Sequence, residues 1–451
     1  MEKSKILANT ASLTAEQLFE EIKAGNVTLE ALMQTGDLNV VKRNKINSLL
    51  NELEEQEEAD WLDAENGGDE ASYSAYLANH PAGKHVAEAR QIISFLERQR
   101  ENSKIQKQKI LNELRNNPNS YNSSQISSYL HHTISIEELM SCGIPLSAIE
   151  NIQNVEIQQL ELGRTPEAIP SGFTEVYFWG APGSGKTCAL GALLQVAQKK
   201  GFLNLATGPG YRYATQLMNI FSDDGEANDY LPGPTPLENT QYLPFTLKRP
   251  NESAVRSVSL IELSGEIFKC FFDLTAGDPL QSQSHVDTFN TLNSFLKNNN
   301  RKIHFFFIDY NRNNRPDHNG ITQSNYLAAA STYFKNHKIF NKSTDAIFIV
   351  LTKSDLMRDD SGNEVRRDQW VEYARNYLNE NNYKSFINTL KDICKKEGIN
   401  GGKLTVEPFS LGKVYFQQIC DFNGSSASNL VEILMERVPG NRASIFDVFN
   451  S

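Results

Sequence analysis

The sequence predicts an α/β protein: a mostly parallel sheet with helices on both faces, preceded by an all-helical region. Three observations carry this. From Glu175 onward, strand, glycine loop and helix alternate. The runs Ile303-His-Phe-Phe-Phe-Ile308 and Ala346-Ile-Phe-Ile-Val-Leu351 are apolar almost throughout, as central strands covered on both faces are. Before residue 165 the apolar residues instead recur at three- and four-residue spacing, with few β-branched clusters. The 451 residues fit two or three domains at about 100–200 residues each, and the division is placed at 1–165 and 166–451.

The first region reads as short helices broken at Gly25, Gly36, Gly67-Gly68, Pro81-Ala82-Gly83 and Asn116-Asn117-Pro118. Its residues Val27–Gly36 align without gaps on Ile134–Gly143. In each copy Thr28 or Ser135 is placed to cap a helix, Leu32/Met33 or Leu139/Met140 are its apolar positions, and a glycine ends it. Capping grammar and true duplication account for the match equally well. Between the copies, Trp61, Ala64, Tyr73, Tyr76, Leu77, Pro81, Gly83, His85 and Ala89 follow the spacing W-x-x-A…Y-x-x-Y-L…P-x-G-x-H-x-x-x-A. This resembles a helical hairpin of many bacterial multidomain proteins, akin to tetratricopeptide-type hairpins. The resemblance implies that the aromatics pack two antiparallel helices and that Pro81 and Gly83 shape the turn. His80 and His85 are read as surface or turn residues, because no third metal ligand lies near them.

In the second region the expected strands are Glu175–Trp179, Tyr242–Leu247, Ser257–Leu263, Ile303–Ile308, Ala346–Leu351 and Leu404–Pro408, with helical stretches between most of them. Hydrophobic residues make up 39% and charged residues 22%, which excludes a wholly disordered, collagenous or coiled-coil chain. Net charge is −11, against a basic nucleic-acid coat, and no nucleic-acid partner is expected. Ten of the acids fall in Asn51–Glu70, which has no Lys or Arg, so the rest of the chain is nearly neutral. That segment reads as a solvated helix face or as a docking surface for a basic partner. The five cysteines are widely spaced and form no C-x-x-C, which suggests neither a disulfide framework nor a zinc ribbon. With no apolar leader core and no membrane span in the sequence, the expected location is cytoplasmic.

The strongest motif is Gly180-Ala-Pro-Gly183-Ser184-Gly185-Lys186-Thr187, a complete G-x-x-x-x-G-K-[ST] between a strand and the helical stretch Cys188–Lys199. Its chemistry is phosphate binding. Gly180, Gly183, Ser184 and Gly185 let successive backbone N–H groups turn toward an anion at a helix N-terminus, which Cys188 also adjoins. Lys186 bridges β- and γ-phosphates, and the Thr187 hydroxyl is a Mg²⁺ ligand.

Further along, Ile347-Phe-Ile-Val-Leu351 empties into Thr352-Lys353-Ser354-Asp355. This resembles the [NT]-K-x-D guanine-recognition motif: a carboxylate at Asp355 accepts from guanine N1–H and the 2-amino group, donors adenine lacks, while Lys353 covers the base. Between these motifs, Glu262-Leu-Ser-Gly265-Glu266 occupies the place of a D-x-x-G motif, with Glu262 for the usual aspartate as metal ligand and Gly265 facing the γ-phosphate. Glu266 is the candidate to orient water; a carboxylate there either polarises it or repels the γ-phosphate. Residues 201–240 form a long Gly/Pro/Asp-rich stretch placed like a switch loop. Its candidate metal ligands are Thr235 and Thr240, with Thr235 preferred. Ser410-Leu411-Gly412, after the last expected strand, resembles the loop that contacts the guanine carbonyl, and an ordinary strand-to-helix turn fits it as well.

Four motifs in this order resemble the translation-factor-related superclass of P-loop GTPases, which includes Ras-like and dynamin-like proteins, over about the last 280 residues. The flavour around the phosphate loop is similar to bacterial double-GTPase domains of conflict, defence and signalling systems, although only one phosphate loop is present. The resemblance implies a slow GTP-hydrolysing switch with GTP/GDP and Mg²⁺ bound. It also implies a protein partner on the N-terminal helices and a nucleotide-dependent homodimer. The rivals are a P-loop ATPase of signal-transduction or AAA type, with Glu262 as its acid and Arg437 and Arg442 as its late arginines, and a nucleotide-binding scaffold with little turnover.

Overall fold

The computed structural model describes residues 2–154, 169–208, 210–221, 229–232, 241–312, 315–317 and 319–441. The chain divides into two compact units, 1–109 and 110–451, the division falling inside the helix Val86–Asn116. The change from helix-only to strand-bearing sequence near residue 165 is therefore not where compactness changes. Residues 110–152 pack within the second unit.

In the first unit, helices Val40–Gly67, Glu70–Asn79 and the start of Val86–Asn116 enclose Trp61, Ala64, Tyr73, Tyr76 and Ala89. The hairpin is as expected, and its histidines lie in the turn segment between the two helices, packed inward rather than exposed. The His85 ring stacks on Trp61 at 4.4 Å, and His80 is buried, its Nε2 2.7 Å from Asp60. Glu57 accepts from the Tyr76 hydroxyl at 2.8 Å and the Lys84 N–H at 2.6 Å, and these bonds hold its carboxyl below the usual range against the opposing effect of burial. Several acids of the 51–70 segment are thus internal partners of the hairpin rather than a uniformly solvated face. The two copies of the ten-residue repeat both form a capped helix, Leu29–Gln34 and Ile136–Ser141, with Thr28 and Ser135 as N-caps. Leu32 and Leu139 are buried whereas Met33 and Met140 are exposed, so only one of the two expected apolar positions serves the core.

In chain order the strands are β1 Thr174–Trp179, β2 Leu203–Leu205, β3 Asp229–Tyr230, β4 Gln241–Leu247, β5 Arg256–Glu262, β6 Lys302–Asp309, β7 Thr344–Thr352, β8 Thr405–Phe409, β9 Gly412–Tyr415 and β10 Ile419–Phe422. Seven make one sheet in the order β2-β4-β5-β1-β6-β7-β8. β5, β1, β6, β7 and β8 run parallel, while β4 is antiparallel to both β5 and β2. All six expected strands are present within two residues at each end. Alternate side chains on them feed two cores: Tyr177, Trp179, Phe306 and Ile349 on one face, Val176, Phe178, Phe305 and Val350 on the other. Burial on both faces is why β1, β6 and β7 read as nearly continuous apolar runs.

β3, β10 and β9 form a separate small sheet. The β9–β10 turn seats Phe416 in a cluster with Ile110, Leu114, Ile126, Leu139, Ile149 and Ile152. Its backbone N–H donates to Pro118 O at 3.0 Å, and Gln417 N–H donates to Asn119 Oδ1 at 2.8 Å. This is what draws 110–152 into the second unit. Among the described residues no helix is long and apolar enough to cross a membrane, and all five cysteines are free.

Candidate functional site

Strand order reverses at β1, whose neighbours β5 and β6 lead away on opposite sides. In open parallel sheets the crevice at the carboxyl ends of the strands at such a point is where ligands bind. The loop Gly180–Gly185 leaves β1 there and opens the helix Lys186–Lys199. Gly180 has φ +155°, and a Cβ on it would lie 2.5 Å from Ser184 Oγ and 2.7 Å from Phe307 O, so only glycine lets the loop turn this tightly. Lys186 is buried, and its Nζ donates to Gly180 O at 2.6 Å and Ala181 O at 3.2 Å. Burial pushes its pKa down to about 8, against the opposing pull of Glu262 and Glu266. A desolvated ammonium inside a ring of backbone is suited to an anion that supplies the missing charge.

Thr187 donates its hydroxyl to Glu262 Oε1, and Tyr213 OH donates to Glu262 Oε2 at 2.5 Å. Burial raises the Glu262 carboxyl above its ordinary range, while the two hydroxyls oppose this. Adjacent hydroxyl and carboxylate oxygens are the hard donors Mg²⁺ takes when phosphate supplies the rest of its shell, so Thr187 and Glu262 fit that ion. Among the described residues there is no group of three His, Cys, Asp or Glu that would hold a metal unaided. Thr235 and Thr240 lie outside the described residues. Cys188 is half-buried, its thiol pushed up to about 12 by burial, so it offers no reactive thiolate.

The loop after β5 lies directly against the phosphate loop. A Cβ on Gly265 would overlap Pro182 N and lie 2.5 Å from Pro182 Cα. Glu266 precedes the helix Ile267–Ala276 and is ion-paired with Lys269 at 2.5 Å, so its carboxylate already has a cationic partner.

At the end of β7, Thr352 Oγ1 donates to Ser184 O at 3.0 Å and Ile308 O at 3.2 Å, tying this strand end to the phosphate loop. Lys353 adopts φ +58°, and its Nζ pairs with the buried carboxylate of Asp309 at 2.7 Å. Ser410 Oγ donates to Asp355 Oδ1 at 2.7 Å, and Gly412 N–H donates back to Ser410 Oγ at 3.0 Å. Leu411 O accepts from Asn423 N–H at 2.6 Å, which closes the turn into β9. Burial raises the Asp355 carboxyl, with Ser410 opposing. The phosphate loop, the Thr352–Asp355 turn and the Ser410–Gly412 turn are therefore linked by hydrogen bonds along one edge of the sheet.

Three residues here carry no sequence motif. Tyr213 lies on a helix after Gly210 with nothing local to mark it. Asp309 and Arg312 follow the β6 run, and only the β1–β6 adjacency brings them to the site. Arg312 Nη1 donates to Pro182 O, and a Cβ on Gly183 would lie 3.2 Å from that nitrogen.

Fold and site together define a mixed α/β protein with a mostly parallel seven-stranded sheet and a phosphate-loop sequence at its switch point. No protein-family model matches the chain, and no curated protein sequence matches it. Among solved structures it is similar to the crystal structure of the S. cerevisiae Ski7 GTPase-like domain bound to GTP. The identity is 16% and the TM-score 0.26, over 59% of this chain and 51% of that one, so the match spans about half the length of that structure.

Proposed function

We propose that the second unit binds and hydrolyses GTP as a molecular switch. The observation that carries this reading is the hydrogen-bonded linkage of a phosphate loop with an acid poised for a base: Thr352 is pinned to Ser184 O at 3.0 Å, and Asp355, three residues on, is oriented by Ser410 at 2.7 Å. A carboxylate fixed in this way accepts two parallel N–H donors, and guanine presents such a pair where adenine does not. In this reading Gly180, Gly183, Ser184, Gly185, Thr187 and Cys188 line the phosphates, Lys186 neutralises the β–γ bridge, and Gly265 N–H faces the γ-phosphate. Thr352, Lys353, Asp355, Ser410 and Leu411 hold the base. Thr187 and Glu262, with Thr235 of the 201–240 loop, would hold Mg²⁺, which supplies charge neutralisation on the phosphate oxygens when bound. Glu266, paired with Lys269, fits a slow intrinsic rate. The N-terminal helices serve as the surface for a protein partner, in the signalling or conflict setting that the sequence resemblance implies.

The ATPase reading asks for a late arginine near the phosphates. Arg437 instead pairs with Asn400 Oδ1 and lies 3.8 Å from Asp345, at the amino end of β7, the opposite edge of the sheet. Arg442 lies outside the described residues.

Asp355→Asn tests the base assignment. It replaces one acceptor oxygen by a donor amide facing guanine N–H groups, and the affinity for GTP is expected to fall at least about tenfold while that for ATP stays unchanged. Isothermal titration with both nucleotides checks this. An equal loss for both, or no loss, would remove Asp355 from base recognition.

A further inference from the structure

Arg312 reaches the phosphate loop from a strand other than the one that carries it, and its surroundings hold it there. It closes the short turn Tyr310–Arg312 that follows Asp309, fully buried at the carboxyl end of β6. Gln323 clamps the Asp309 backbone from both sides, Oε1 accepting its N–H at 2.9 Å and Nε2 donating to its carbonyl at 3.1 Å. Asp309 Oδ1 accepts from Asn311 N–H at 2.8 Å, and Tyr377 OH donates to Tyr310 O at 3.1 Å. Of the three residues before Arg312, Asp309 and Tyr310 are thus fixed by groups from two other helices, Gln323–Asn336 and Trp370–Glu380, and Asn311 by the Asp309 carboxylate. From this support the guanidinium donates to Pro182 O, and its charge is close enough to Lys186 to help lower that lysine's pKa.

The placement is specific. Pro182 is the residue on which Gly265 closes from the β5 side, so tightly that a methyl group on that glycine would overlap the Pro182 nitrogen, and Arg312 meets the same residue from the β6 side. The two loops flanking β1 therefore converge on the middle of the phosphate loop. A planar guanidinium with five donors suits phosphoryl oxygens, on which charge redistributes during transfer.

We infer that Arg312 is a catalytic arginine supplied by the chain itself, contacting the γ-phosphoryl group in the transition state of hydrolysis. The inference rests on the GTP-hydrolysing reading above. In that reaction a water oxygen bonds to the γ-phosphorus, and the bond from that phosphorus to the β–γ bridging oxygen breaks. Its electron pair stays on the GDP β-phosphate, and the water proton passes to the phosphate released. Arg312 exchanges its bond to Pro182 O for bonds to the transferring group. Arginines in this role account for about 10³- to 10⁵-fold in rate, so hydrolysis is not dependent on a second protein for this charge.

Single-turnover GTP hydrolysis and GDP binding by the full chain, with and without aluminium fluoride, separate the outcomes. For Arg312→Ala the expected result is at least about a hundredfold slower hydrolysis, with GDP affinity kept within about threefold and tight binding of GDP with aluminium fluoride lost. Arg312→Lys, which keeps the charge without the fork, is expected to fall between, and a thermal melt within a few degrees of wild type shows that both variants fold. Equal hydrolysis in wild type and Arg312→Ala overturns the inference and leaves the nucleotide reading standing. So does a parallel loss of GDP affinity and hydrolysis, which would make Arg312 a clamp on the loop. A wild type that binds no GTP overturns the nucleotide reading and this inference with it.

Discussion

Replacing Lys186 by methionine is expected to weaken nucleotide binding by two orders of magnitude or more, while changing the stability of the protein little. The two effects have one cause. Lys186 is buried and its pKa is pushed down to about 8 by desolvation. Relative to an ordinary lysine near 10.5, the folded state disfavours the ammonium by about 3 kcal/mol, since one pKa unit is about 1.4 kcal/mol. Methionine keeps most of the apolar stem and removes the charge. It forfeits the charged hydrogen bonds to Gly180 O and Ala181 O, which together are of the same order as the penalty relieved and offset it, so the net change in stability is small. The sign of the pH dependence follows. A lysine whose folded pKa is depressed carries its full penalty below about pH 8 and loses it as pH rises from there toward the unfolded value. The variant's thermal stability relative to the wild type should therefore be most favourable at neutral pH and decline above about pH 8. A large loss of stability at neutral pH would show that the lysine is structural.

Phe416→Ala is expected to destabilise the second unit by about 3–5 kcal/mol, the usual effect of deleting a buried phenylalanine ring. Phe416 is fully buried and sits at φ +54°, beside Gln417 at φ +64°. Two non-glycine residues in the left-handed region cost about 1–2 kcal/mol each, and the turn holds that shape because the ring is packed among Ile110, Leu114 and Ile126. Alanine keeps the strain and removes its compensation. Urea denaturation of the full chain measures the effect. A loss below about 1 kcal/mol would mean that the 110–152 helices are held to the β9–β10 turn by something other than this ring.

The same turn shows where the sequence was opaque. β1, β6 and β7 were legible because burial on two faces forces a nearly continuous apolar run, and β4, β5 and β8 because shorter stretches with β-branched or aromatic residues stand between turn residues. β2 and β3 span three and two residues and β9 and β10 four each, with Lys413 and Asp421 among them, so neither length nor alternation marks them. The Phe416-Gln417 turn has none of the Gly, Asn or Asp that left-handed hairpin turns normally display. Its partner surface lies some 300 residues earlier, and no local pattern points to it.

In the site, the strings Gly180–Thr187 and Thr352–Asp355 could be read directly, because cradling an anion and presenting an acid after a buried strand require particular residues at fixed spacing. Tyr213, Asp309 and Arg312 could not, since each meets the site only through the β4-β5-β1-β6-β7 order of the sheet. The acidic segment shows the same limit from the other side. Its charge was countable, but the bonds of Asp60 to His80 and of Glu57 to Tyr76 and Lys84 depend on the folded hairpin.

Everything proposed for the site requires that its two linked motifs select a guanine nucleotide. Competition for a fluorescent GTP analogue bound to the full chain in Mg²⁺ decides this. Unlabelled GTP should displace the probe at a concentration at least about tenfold lower than ATP, the discrimination expected when a buried carboxylate must find two N–H donors. Displacement by ATP at equal or lower concentration, or no binding of the probe at all, would mean that the Thr352–Asp355 turn does not read a guanine base.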